Sequence, residues 1–351
     1  MKSVKHNGLL IALAAALLST GSCGLIDDDL SECGADFQID YELKLVTNAT
    51  TELGSVLDEG GDMYVSSALN AYLAHVFTDF AHDVDLSFYD VSDPFDRLEH
   101  SNVIMNASQT SYTLYLPSRK YSHTAVANLQ DNGSVTLEGG DHLLESRLVQ
   151  HSVKAGEGNT VSPHRTGLFT ARLKMDVKPN EDQLFNVTLY MVNAATALVL
   201  DCSEAPTIQS IKVFVDGFAT GFNVADSTYV FESDPLILTD DLPVEGGTQR
   251  CFASIHFPSK DNGTKVIIDT QDPFVAEDAA EALWKWRCYV TIADGSVTET
   301  VLGVNKPLRA GGVKILKAKV YDTGIVTTQD PTVGASVTLD WQDAGQHNIE
   351  L

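Results

Sequence analysis

Apolar and polar side chains alternate with period two along much of the chain beyond residue 35, the pattern of half-buried β-strands. Phe37, Ile39, Tyr41, Leu43 and Leu45 fall on one face, with Gln38, Asp40, Glu42 and Lys44 on the other. Val84, Leu86 and Phe88 repeat the pattern, as do Tyr112, Leu114 and Leu116 before Pro117. His123 to Leu129 is expected to pair with that last strand across a turn at Ser118–Tyr121. Phe169, Ala171, Leu173, Met175 and Val177 form a further strand. One segment departs from the rule. Val65, Leu69, Tyr72, Leu73, Val76, Phe77 and Phe80 recur mostly at three- and four-residue steps, which predicts a helix packed on the first sheet.

Alternation resumes after Lys178–Asp182, a polar, proline-containing stretch that marks the expected domain boundary. Val187/Leu189/Met191, Ile211/Val213/Val215, Cys251/Ala253/Ile255/Phe257 and Val266/Ile268 read as strands. Trp284, Trp286, Cys288, Val290 and Ile292 share one face of the next, followed by a hairpin turn at Ala293–Ser296. Val313–Val320 and Val337/Leu339/Trp341 complete the series, and residues 278–283 are expected to form a short helical turn. So many short strands predict a mainly β protein of two tandem β-sandwich domains, spanning 36–178 and 183–351, with one helix on the first.

The first 35 residues carry a different signal. A basic start with Lys2 and Lys5, an apolar run Leu9–Leu18 and the small residues before Cys23 describe a secretory signal peptide over 1–22. The run is about half the roughly 20 residues that a membrane-spanning helix needs. Cys23, directly after Gly21-Ser22, resembles the lipidated cysteine of bacterial lipoproteins, with Thr20 a departure from the usual aliphatic residue. A lipidated Cys23 would hold the protein on a membrane through its acyl chains. Asp27–Asp29 follow in a tether over 23–35, and acidic residues there resemble the surface-display signal of Bacteroidales lipoproteins. The expected location is the outer membrane, facing outward.

Charge narrows the partners. Removing residues 1–22 leaves 21 basic and 48 acidic side chains, a net of −27, which repels nucleic acid and anionic lipid headgroups. Besides Cys23 there remain Cys33, Cys202, Cys251 and Cys288, with no CxxC spacing for zinc. An exported protein permits disulfides, and Cys251–Cys288 is the expected pair, both lying in apolar alternating stretches; four buried free thiols are the alternative.

No catalytic motif is present: no GxSxG, no HExxH and no GxxxxGK[ST]. His82, Asp83 and Asp85 are close enough to suggest a metal, but the two aspartates share a strand face and read as a solvated edge. Thr239-Asp240-Asp241 lacks the ligand spacing and glycine of a calcium loop. Acidic pairs in so acidic a chain arise by chance and support no glycosidase. Trp284 and Trp286 alternate with Lys285 and Arg287, which places them in a core and not on a sugar platform. No enzyme, cofactor or metal site is expected.

Several segments, in order, resemble the Bacteroidales fimbrial anchor family, the base subunits of type V pili. They are Cys23 with Asp28–Cys33, the strand Phe37–Leu45, Val84–Asp90, Tyr112–Tyr121 leading to Ala127-Asn128, Leu168-Phe169 and Val337–Trp341. The resemblance implies two transthyretin-like β-sandwiches and a non-enzymatic role in adhesion. It also implies a fimbrial stalk subunit as partner by strand addition, and outer-membrane lipid as partner through Cys23. Stalk and tip subunits of such pili resemble one another in losing a first strand after cleavage at arginine. Here no arginine lies between Cys23 and Arg97, so the first strand is expected to stay. The segment Ala335–Leu351, with Val337, Leu339 and Trp341, is the candidate donor strand; an ordinary last strand of its own sheet is the alternative. A surface glycan-binding lipoprotein is the competing functional class.

Overall fold

A computed structural model describes residues 36–46, 63–74, 76, 81, 83–92, 97–99, 111–130, 132–152, 159–179, 181–260, 281–331 and 333–340. They form four β-sheets and a single α-helix among the described residues, as the period-two pattern predicts.

The largest sheet has seven strands in the order Arg97–Glu99, Val84–Asp90, Lys120–Ala127, Phe169–Asp176, Leu184–Met191, Asp36–Val46, Ser111–Pro117. Its middle is nearly severed: Phe169–Asp176 and Leu184–Met191 pair only at Phe169–Met191 and Thr170–Tyr190. From that hinge the sheet folds over itself. Leu86, Phe88, Tyr121, Ala125, Phe169 and Met175 of one half pack with Ile39, Leu114, Leu116, Val187 and Leu189 of the other in one core. Two expectations change accordingly. Ser111–Pro117 pairs with Asp36–Val46 and not with Lys120–Ala127, because the turn at Ser118-Arg119 crosses between layers. Lys178–Asp182 links two strands of this one sheet, so the expected domain break is a turn within it: Lys178 N donates to Gln183 Oε1, and Gln183 Nε2 to Asp176 O. A polar, proline-bearing connection looks alike in sequence whether it joins strands or domains.

The real handover is two residues, Val192 and Asn193, before the long strand Ala194–Glu204. It is fixed by buried polar groups. Asn193 Nδ2 donates to Thr166 O at 2.8 Å, and Asn193 Oδ1 accepts from Leu168 N at 3.2 Å. Thr166 Oγ1 in turn donates to the carbonyl of Asn128, whose backbone is left-handed at φ 64. Buried polar groups are tolerated where each is paired, and this network then makes the junction specific.

The second sandwich stacks a five-stranded sheet (Asp240–Leu242, Gln249–His256, Ala194–Glu204, Val313–Tyr321, Val326–Thr327) on a six-stranded one. The six run Val333–Asp340, Val297–Val304, Trp284–Thr291, Ser210–Asp216, Leu236–Leu238, Thr160–Val161. Between them lie Leu198, Leu200, Phe252 and Leu316 from one sheet, and Val213, Val215, Trp284, Trp286, Cys288 and Leu302 from the other. The fourth sheet, Thr228–Val230, Gly221–Asn223, Arg147–Gln150 and Val135–Glu138, mixes both sequence halves. Its Leu148, Phe222 and Val135 pack with Val126 on the outer side of the first sandwich.

The helix, Met63–Ala74, bridges the two sandwiches. Leu73, and Val76 just beyond, reach the first core as expected, but Val65 and Leu69 lie on Ala197, Val199, Cys251 and Ala253 of the five-stranded sheet. Tyr72 ties it down there, its hydroxyl donating to Asp240 Oδ2 at 2.9 Å. The helical turn expected at 278–283 is not seen at Glu281–Leu283, where Leu283 N donates instead to Val304 O; 278–280 lie outside the described residues. So do Val266 and Ile268.

Candidate assembly interface

Strand direction gives the molecule two ends. Asp36–Val46 begins beside the Ser118-Arg119 turn, opposite Pro117, and Leu184–Met191 runs parallel to it from the same end. The latter therefore delivers the chain to the second sandwich at the opposite end. There Ala194–Glu204 and the parallel Val313–Tyr321 continue outward. Trp284–Thr291 runs outward, Val297–Val304 returns, and antiparallel to it Val333–Asp340 runs outward again. The first strand therefore begins at one end of the molecule, and the last strand ends toward the other.

The first strand is locked in. It pairs over seven residues with Leu184–Met191 and over seven with Ser111–Pro117, and Ile39 is 1% exposed in the core. The last strand is different. Val333–Asp340 pairs with Val297–Val304 through eight unbroken residue pairs and is the edge of its sheet. Val333, Ala335, Val337 and Leu339 stand opposite Val304, Leu302, Thr300 and Thr298, and directly opposed residues share a sheet face. Val304, Leu302, Thr300 and Thr298 are buried, yet Ala335 is exposed and Val337 is 42% exposed. Among the described residues the strand thus overhangs the facing sheet, which ends at Val326–Thr327. Its root is pinned: Lys314 Nζ meets Asp330 Oδ2 at 2.7 Å, Thr328 Oγ1 donates to Lys317 O, and Val333 N to Asp330 O.

Of the residues singled out in the sequence, Cys23 and Trp341 lie outside the described residues, as does His82. Val337 and Leu339 sit in the edge strand of their own sheet, the alternative foreseen for that segment. The Cys251–Cys288 bridge is not formed. Both are buried free thiols in different sheets: Cys251 faces the helix, and Cys288 faces the inter-sheet core. Alternation fixes that each is buried but not on which side of which sheet. Burial pushes both thiols up to about 12, away from reactivity.

Asp83 caps a turn, accepting from the backbone N–H of Leu129 and Gln130, and Asp85 accepts from Ser87 Oγ. Asp240 takes Tyr72 and Arg165, and Asp241 pairs with Arg250. Among the described residues no group of three metal-ligating side chains comes together. Trp284 and Trp286 are buried, and Trp284 Nε1 donates to Lys306 O. Three histidines, His123, His164 and His256, are buried although nothing in their local sequence pattern distinguishes them.

No family model and no curated protein matches the chain. Solved structures do. A candidate adhesin from Bacteroides ovatus has 13% identity and TM-score 0.49, covering 79% of this chain and 86% of that one. A candidate polysaccharide-binding protein from Bacteroides thetaiotaomicron has 9% identity and TM-score 0.48, covering 85% and 97%. The fimbrial anchor protein Mfa2 from Porphyromonas gingivalis has 8% identity and TM-score 0.46, covering 87% and 98%. The structural neighbours thus include Bacteroidales fimbrial proteins, the kind that the sequence resembles.

Proposed function

We propose that this protein is the lipid-anchored base subunit of a cell-surface fimbria, held on the outer membrane through Cys23 and joined to a stalk subunit by strand addition at its last strand. One observation carries the reading: the first strand begins at one end of the molecule, and a last strand that is the edge of its sheet among the described residues runs toward the other. The retained first strand fits a terminator, since it fills the groove that a preceding subunit's strand would otherwise enter. The absence of arginine between Cys23 and Arg97 spares it from arginine-directed cleavage.

Expression in the native host tests both halves. Cys23→Ala should abolish acyl labelling and release the protein from the membrane. Truncation before Ala335 should leave lipidation and folding intact but remove the protein from purified fimbriae. Unchanged co-purification of the truncated protein would reject the strand contact. Failure of the full-length protein to co-purify at all would reject the anchor role and favour glycan binding.

A further inference from the structure

We infer that the partner's strand adds along the outer edge of Val333–Asp340 while that strand remains in its own sheet. The inference rests on the anchor reading above and says how its contact is made. Among the described residues nothing covers this edge, and its own sequence offers no protection. From Val333 to Leu339 there is no charged residue and no proline, and the eight-residue register has no bulge. Such an edge is a template for one more strand, which would gain backbone hydrogen bonds without displacing any.

Departure of the strand is the alternative, and the surroundings oppose it. It would unpair Val297–Val304 along its whole length and pull against the Lys314–Asp330 and Thr328–Lys317 contacts at the root. Addition in place also explains the overhang. Ala335 and Val337, exposed on the inner face, become covered when the partner's strand brings its own facing layer.

The occupant is an extended segment of a different chain. Two copies of the mature protein, each at −27, repel one another along an edge that has no compensating cation between Val333 and Leu339. Asp294 and Asp322 stand in the turns at the outward end of this sandwich. A partner strand with apolar residues at alternate positions and a basic residue at that end fits both features.

The test is a cross-strand lock, Thr300→Cys with Val337→Cys, at directly opposed positions, in the full-length lipoprotein expressed in its host. The oxidised lock should co-purify with fimbriae as well as the reduced form, whereas Ser336→Lys, an exposed substitution placing charge on the edge, should lower recovery about tenfold or more. Loss of association on oxidation, restored by reduction, would overturn addition in place and show that the strand must leave, with the anchor reading intact. Full recovery of Ser336→Lys would equally overturn it. Loss of the anchor reading itself is separately visible, as failure of the full-length protein to co-purify with fimbriae at all.

Discussion

His123, His164 and His256 are sealed from solvent, and His164 has no hydrogen-bond partner at either ring nitrogen among the described residues. Its ring lies edge-on to Phe257, and His256 stacks on Phe218 at 3.7 Å while bonding Thr196 Oγ1 and the Phe257 carbonyl. Burial keeps all three neutral, lowering His123 and His256 to about 4 and His164 to about 3, from 6.5. In the unfolded chain they take protons near pH 6.5. Below that pH the unfolded state therefore binds more protons, so stability is complete above 6.5 and declines as pH falls toward 4. Denaturation midpoints at pH 7.5 and 5 should differ in that direction, and His164→Phe should shrink the difference; an unchanged slope would show that other groups dominate. At the same scale, a maleimide should spare Cys251 and Cys288 in the native protein and label both in denaturant. Modification of either in the folded state would contradict their burial. That these residues are buried was legible from alternation around Cys251 and Cys288. Pairing was not, because period two reports a face and not its neighbour.

Individual strands and the helix follow from their periodicity, but their partners depend on distant sequence. Nothing in Val135–Glu138 and Arg147–Gln150 announces that Gly221–Asn223 will join them. The helix is the clearest example. Its apolar stripe is plain, yet the stripe is equally suited to either sandwich, and the deciding contact, Tyr72 with Asp240, spans 168 residues. Burial and then the Asp240 carboxylate push the Tyr72 phenol well above its ordinary range, so it stays a donor. Leu69→Ala should cost about 2–5 kcal/mol in chemical denaturation, since it removes a fully buried side chain between helix and sheet. A cost of only a few tenths would place the helix off the sheet. Asn193→Ala should cost about 1–3 kcal/mol by leaving the Leu168 N–H and Thr166 carbonyl without their partner at the handover.

At the scale of the whole molecule, the proposed anchoring would give the two ends an orientation on a cell. A fluorophore at Asp294 should lie farther from the lipid surface than one at Ser92, measured by quenching from labelled lipid. Equal or inverted quenching would refute the proposed axis. The expected boundary at 178–183 failed at this scale, because one strand past it, Leu184–Met191, completes the first sandwich. That same strand has a mechanical consequence. Flanked by Leu184–Met191 and Ser111–Pro117, the first strand would be drawn back along its own axis by a membrane tether. The last strand, gripped along its outer edge by the partner's strand, would likewise be loaded along its length against Val297–Val304. Tension between a surface and a distal filament would therefore shear every hydrogen bond of each ladder at once instead of peeling them singly. In the proposed role, resistance to rupture would then be governed by a concerted barrier, and the protein would withstand drag through the direction in which its first and last strands run.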